Sequence, residues 1–175
     1  MVVRYSCHAA VAVGLLIASG TPAAVASEAK SDLKSSDGKI TGTLSLHGTL
    51  SGVLLTIKLQ GLSPGPHALR FHETGVCEGD YVAAGGIYNP LGAKHGLLND
   101  EGPMAGDLPN IYAGADGVAE AELMSPFVHL GEDDEATLLD EDGTAVLVFE
   151  KPDDHQSDPD GGTGRAIACG VLRGK

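Results

Sequence analysis

The alternation of apolar and polar residues between Ile40 and Leu59 is the feature that most constrains the fold. Apolar side chains share one parity over residues 40–46 and share the other parity over residues 53–59, with glycine and serine between the two segments. A period of two is that of a half-buried β-strand, and two such segments joined by turn residues predict a β-hairpin. The chain is therefore expected to build an antiparallel β-structure.

The rest of the chain continues this pattern. Further strands are predicted from "HALRFH" (His67–His72), from a hairpin that turns at Asp116-Gly117, and from the apolar segments 144–150 and 166–172. Two long irregular loops, 74–106 and 151–164, separate these segments and are too long to be plain connectors. The sum is an all-β domain of about eight short strands, an antiparallel sandwich or flattened barrel.

The N-terminus has the pattern of an export signal. Arg4 precedes an apolar segment at 9–19, and Ala24-Val25-Ala26 supplies the small residues of a cleavage site. We predict a signal peptide at 1–26, a flexible leader at 27–37 and one domain at 38–175. The mature protein is then periplasmic or extracellular, and the apolar segment is too short to span a membrane.

Removal of the signal leaves two of the three cysteines. Cys7 is lost, and Cys77 and Cys169 remain as one pair, which in an oxidising compartment predicts a disulfide; two buried free thiols are the alternative. The net charge of −13 disfavours binding to nucleic acid or to an anionic membrane surface.

An acidic segment at 131–144 raises the question of calcium. Its residues do not fit the ligand positions of an EF-hand loop. If Gly143 took the invariant glycine position of that loop, Leu138 would stand at the first ligand position. A solvated acidic loop is the preferred interpretation, with loose calcium buffering as an alternative.

Five motifs in order resemble the Cu,Zn superoxide dismutase family, most closely its bacterial exported branch. They are "GPHALRFHETGVC", "GGIYNPLGAKHG", "GDLPN", "DDHQSDPDGGTG" and "IACGVL". The resemblance covers roughly residues 38–173. It implies an eight-stranded Greek-key β-barrel with one disulfide, at the positions of Cys77 and Cys169.

The same resemblance implies that most copper ligands are missing. The family's four copper positions correspond here to Arg70, His72, Ile87 and Phe149. Copper redox chemistry needs several imidazoles, isoleucine and phenylalanine have no donor atom, and a guanidinium has no lone pair to offer. We therefore expect no catalytic residues.

The zinc positions are kept in part. Two of the four survive as His95 and Asp107, whereas Ile87 and Met104 stand at the other two. The expectation is that the protein has no metal cofactor; the alternative is zinc or copper held at a partial site by His72, His95 and Asp107. The family's substrate-guiding arginine corresponds to Ala166, with Arg165 one place away.

The alternation of side chains along a strand separates the two histidines of "HALRFH". His67 and His72 are five residues apart on a strand and so face opposite sides, whereas Arg70 and His72 share a side. We predict that Arg70 pairs with Asp153 or Asp107 and supplies the positive charge that a metal supplies in the family. Two loop histidines, His129 and His155, are candidates to approach the same site.

Two functions follow as hypotheses. The first is an exported superoxide-dismutase-like protein without dismutase activity, with a binding or structural role and an unidentified protein partner, such as a genuine superoxide dismutase. The second is a metal-dependent dismutase or metal-binding protein that uses the altered site. Whether the chain is an enzyme is left open, with the missing ligands favouring the first hypothesis.

Overall fold

The computed structural model describes Met1 and residues 27–131 and 135–173, and the signal peptide predicted at 1–26 lies outside the described residues apart from Met1. Nine strands are present in these ranges, with one short 3₁₀ turn at Val82–Ala84. The strands are β1 (Glu28–Lys34), β2 (Thr41–Thr49), β3 (Gly52–Gln60), β4 (Gly65–His67), β5 (Leu69–His72), β6 (Ile111–Ala113), β7 (Ala119–Ser125), β8 (Thr144–Phe149) and β9 (Ala166–Leu172).

Seven strands form one antiparallel sheet in the order β5-β8-β9-β1-β2-β3-β7, and β4 pairs with β6 in a second, small sheet. The predicted all-β antiparallel fold is confirmed. The hairpin predicted from the alternation is β2–β3, paired over nine residues from Thr41–Gln60 to Thr49–Gly52. No helix within the described ranges has the length and hydropathy to cross a membrane.

The alternation also sets the core. Inward side chains of β2 and β3 pack against those of the other strands in one apolar cluster that includes Leu44, Leu55, Phe71 and Val148. All six residues of β8 and all four of β5 are buried, because these two strands lie under loops as well as against the core. Polar side chains on β5 are consequently held away from water.

The structure differs from the sequence prediction at 27–37. The stretch predicted as a flexible leader contains β1, which pairs with β2 over seven residues and meets β9 at Lys34–Cys169. Its sequence is polar, but Ser31 and Leu33 alternate inward and are buried. Pairing of backbone groups, which the side-chain pattern does not report, gives this strand its place in the sheet.

The predicted disulfide is present between Cys77 and Cys169, across a sequence separation of 92. Cys169 lies on β9, and Cys77 lies at the start of the long loop that follows β5. The bond therefore ties the loop after β5 to β9, which lies two places from β5 in the sheet.

Candidate functional site

A buried ion pair joins β5 to the loop after β8. The guanidinium of Arg70 donates from Nε and Nη2 to Oδ2 of Asp153, with an Nε–Oδ2 distance of 3.1 Å, and Nη2 also donates to the carbonyl oxygen of Asp160 at 2.7 Å. Both side chains are 2% exposed. Buried charges of this kind are found in proteins where they are paired and hydrogen-bonded. Arg70 thus meets Asp153, one of its two predicted partners.

The other oxygen of Asp153 continues the network to His95. The imidazole of His95 lies between two carboxylates, with Nδ1 2.7 Å from Oδ1 of Asp107 and Nε2 3.1 Å from Oδ1 of Asp153. Asp107 also accepts the backbone N–H groups of Gly96 and Met104. The three side chains of His95, Asp107 and Asp153 are buried and bring one donor atom each within 4.8 Å of the others.

The pKa values in this network move in opposite directions. Burial alone would lower the pKa of His95, but hydrogen bonds to Asp107 and Asp153 outweigh it and raise the pKa to about 9. Burial would raise the pKa of Asp153, but hydrogen bonds from His95 and Arg70 hold it below its usual value. Two cations and two carboxylates therefore alternate in a set with no net charge.

Gly161 lies directly against the carboxylate of Asp153. Its φ is +55°, and a Cβ at this position would collide with Oδ1 of Asp153 and lie 2.9 Å from Nε2 of His95. Only glycine adopts this backbone conformation readily and also leaves room for the carboxylate. The loop after β8 thereby closes directly over the buried network.

His72 lies on the same side of β5 as Arg70, and both face the ring of Phe149. The guanidinium carbon of Arg70 is 5.1 Å from the centroid of that ring, and the His72 ring stacks on it at 5.9 Å. Nδ1 of His72 donates to the carbonyl oxygen of Gly85 at 3.0 Å. Burial lowers the pKa of His72, which keeps the imidazole neutral.

The remaining histidines divide between scaffold and site. His67 is buried and is not in the cluster around His72. Its Nδ1 donates to the carbonyl oxygen of Phe149 at 2.8 Å. His155 reaches the network, with Nδ1 3.7 Å from Oδ1 of Asp153 and Nε2 accepting from Asn110. The backbone of His129 forms a β-bridge with Thr137. Among the described residues, 27–131 and 135–173, His129 is not part of the histidine–carboxylate group.

Sequence reasoning predicted Asp153 as a partner of Arg70 and named His155 as a candidate to approach the site, but it did not list Asp153 among the candidate metal ligands. It listed His72, His95 and Asp107, and the structure brings only the last two together. The signal that could have marked Asp153 as a candidate ligand is "DDH" at 153–155, a carboxylate-histidine cluster shortly after the buried strand β8.

The fold and site define an antiparallel β-protein with a buried histidine–carboxylate group of the kind that holds metals. A match to the copper/zinc superoxide dismutase (SODC) family covers residues 38–172. This chain belongs to that family.

Named relatives and a solved structure agree with this assignment. "Superoxide dismutase [Cu-Zn] 2" of Aquifex aeolicus is 43% identical over 148 residues, spanning 83% of this chain and 86% of the relative. "Superoxide dismutase [Cu-Zn]" of Caulobacter vibrioides is 45% identical over 144 residues, spanning 81% and 83%. The crystal structure of a double mutant of a SOD-like protein from Bacillus subtilis superposes with a TM-score of 0.80 at 36% identity, covering 83% of this chain and 97% of that one.

The expectation of a protein without a metal cofactor is contradicted by these findings. The family and the relatives are named for copper and zinc, and His95, Asp107 and Asp153 form a group with the donors to hold a metal ion. The expectation was wrong because it counted surviving family ligands one by one and left out Asp153, which the loop after β8 brings beside His95.

The residues present do not fit copper at its family position. Arg70 places a permanent cation there, Phe149 offers an apolar ring, and Ile87 pairs with His72 through the backbone only. They do fit a single zinc-like ion better, because one imidazole and two carboxylates are ligands that zinc takes. Such an ion has to replace the proton that His95 shares with Asp107.

Proposed function

We propose that this chain is an exported member of the copper/zinc superoxide dismutase family that does not dismutate superoxide at a copper centre and acts by binding. The observation that carries the proposal is the guanidinium of Arg70, buried at a family copper position and bonded to Asp153. A guanidinium has no lone pair to offer a metal, so Arg70 cannot serve as a copper ligand at this position.

The surroundings of Arg70 support the same proposal. In the copper/zinc superoxide dismutases that this chain resembles, several imidazoles hold the copper that cycles between two oxidation states. On β5, His72 is the one imidazole beside Arg70. Phe149 packs against both side chains and fills space with an apolar ring. A copper ion at His72 alone would lack the ligand set that redox chemistry needs.

The position of Arg165 also favours a non-catalytic role. Superoxide is an anion, and the family guides it with an arginine at the position of Ala166. Arg165, one residue earlier, is 82% exposed and pairs with Glu150 at 3.1 Å on the surface. It does not line the cavity that contains Arg70 and His72.

We further propose that His95, Asp107 and Asp153 bind one zinc-like ion, and that this metal is structural. Such a metal supplies a fixed, redox-inactive cross-link between ligands. Here the ligands come from the loop before β6 and the loop after β8, so the chain's own residues would use the metal to hold two loops against β5. The binding role is with a partner protein, for which a dismutase of the same family is the first candidate to test by co-purification.

The experiment is metal analysis of the protein purified without a histidine tag, before and after loading with copper and zinc, together with a superoxide assay. The proposal predicts one bound zinc per chain after loading, no stoichiometric copper and no dismutation above the background. The matched control is the triple variant Arg70→His, Ile87→His and Phe149→His, which restores imidazole donors and is expected to gain copper.

The proposed zinc binding is tested with a separate pair of variants. Asp107→Asn removes a charged ligand and is expected to lose zinc, whereas the same change at the exposed Asp116 is expected to leave zinc binding unchanged. One copper per chain with rapid dismutation in the unmodified protein would refute the proposal.

A further inference from the structure

The three donors of the histidine–carboxylate group are sealed from solvent. The side chains of His95, Asp107 and Asp153 are 0%, 1% and 2% exposed. A cavity of about 430 Å³ over β5 does not reach them, because it is lined by Arg70 and Asp160 but by none of the three donors. A metal ion in solution therefore has no path to the donors of the closed protein, and part of the chain has to move before the ion binds.

The segment that lies over this group is residues 154–161, which we call the cover. Gly161, at its end, lies against the carboxylate of Asp153 and against Nε2 of His95. Apart from Gly161, every residue of the cover is exposed or half-buried, and Pro159 has its only apolar side chain. A segment with so few buried apolar contacts opens at a lower free energy than the core of the protein.

Arg70 ties the cover to the buried strand β5. Its Nη2 donates to the carbonyl oxygen of Asp160 at 2.7 Å, while Nε donates to Oδ2 of Asp153 at 3.1 Å. The guanidinium is 2% exposed, and a hydrogen bond from a buried charged group is stronger than one between neutral groups at the surface. One side chain therefore holds both a donor of the group and the segment that closes over it.

The loop that carries His95 also contacts the cover. The backbone N–H of His95 donates to Oδ1 of Asp158 at 3.0 Å. The backbone N–H of Leu98 donates to the carbonyl oxygen of His155 at 2.8 Å. When the cover moves away from the group, both N–H groups lose their acceptors and are open to water.

We propose that the cover controls metal exchange and that Arg70 keeps it closed. The ion enters or leaves when the bond between Arg70 and Asp160 breaks and the cover moves off His95. This inference rests on the proposed zinc site. Arg70 is a positioning residue in this account, because it acts through the cover and not on the metal. A hydrogen bond to a charged group of this kind lowers the open population by about ten- to a hundredfold.

The first test is the rate of zinc uptake by the folded, metal-free protein at increasing zinc concentrations, followed with a fluorescent zinc indicator. The rate is expected to level off at high zinc, because opening of the cover then limits it. Arg70→Met is expected to raise this limiting rate about tenfold or more. The control is Arg165→Met, which removes an exposed arginine just after the same loop and is expected to leave the rate unchanged. A rate proportional to zinc at every concentration, or equal limiting rates in Arg70→Met and the unmodified protein, would overturn the proposal.

A second measurement needs no metal. Amide hydrogen exchange of Leu98 is expected to be faster than that of the paired amides in the β2–β3 hairpin, because the cover opens without unfolding of the sheet. Asp158→Ala removes an exposed side chain that binds the loop of His95, and it is expected to speed both Leu98 exchange and zinc uptake about two- to tenfold. This variant gives the answer if Arg70→Met does not fold. Equal protection of Leu98 and the hairpin would overturn the proposal, because the cover would then open only when the whole protein unfolds.

These readouts separate the cover from the zinc site itself. One zinc per chain with an uptake rate that never levels off would keep the proposed site and refute the control by the cover. No bound zinc would refute the site, and Leu98 exchange would then decide by itself whether the cover opens locally.

Discussion

Arg70 and Asp153 form a buried ion pair between strand β5 and the loop after β8, with an Nε–Oδ2 distance of 3.1 Å. The family is named for copper and zinc, and Arg70 stands at one of its copper-ligand positions. The pair therefore places the fixed positive charge of an arginine where the family has a copper ligand. The same carboxylate contacts His95, so one residue, Asp153, connects the altered copper position to the group that has the donors for a metal.

The first prediction concerns this pair. Arg70→Ala leaves Asp153 buried with His95 as its remaining cationic partner and is expected to reduce the free energy of unfolding by about 3 kcal/mol or more. The control is Arg165→Ala, which removes an exposed partner of Glu150 and is expected to cause no measurable change. Urea denaturation of the two variants makes the comparison, and equal stability would show that the pair contributes little.

A second prediction tests the close approach of Gly161. Gly161→Ala places a Cβ against Asp153 and is expected to destabilise the protein by roughly 2–4 kcal/mol, from strain at positive φ and from overpacking. Gly162→Ala is the matched control, since Gly162 also has positive φ (+67°) but has no atom near the added Cβ. Thermal unfolding should separate the two variants; a common loss would mean that backbone strain is the whole effect.

A third prediction concerns pH in the presence of a chelator. The pKa of His95 is raised to about 9 in the folded protein, above its value of 6.5 in the unfolded chain, by the carboxylates of Asp107 and Asp153. A raised pKa contributes stability that is complete below pH 6.5 and is lost as the pH rises through about 9. His95→Gln is expected to flatten the decline in unfolding free energy between these values, and an unchanged decline would assign it to another group.

A fourth prediction concerns the disulfide. Replacing Cys77 and Cys169 by serine releases a loop constraint across 92 residues and is expected to cost about 4–5 kcal/mol in the loop-entropy account. Denaturation of the double variant and of the reduced parent protein should agree. A small loss in both would mean that β9 and the loop after β5 are held together by packing alone.

Some of this could be read from the sequence and some could not. The alternation at 40–59 predicted the β2–β3 hairpin because side-chain burial has the period of a strand. Strand β1 was missed because Leu33 is its only large apolar residue facing the core, and backbone pairing carries the rest. The network around Asp153 was found only in part, because a loop of fourteen residues, 151–164, leaves its path unspecified until Gly161 closes it over His95.

The most direct test of the central claim is the decay of superoxide measured by stopped flow on the protein loaded with copper and zinc. The account predicts a decay rate equal to that of buffer, and a faster rate in the variant with Arg70→His, Ile87→His and Phe149→His. Rapid decay with one bound copper per chain in the unmodified protein would contradict it.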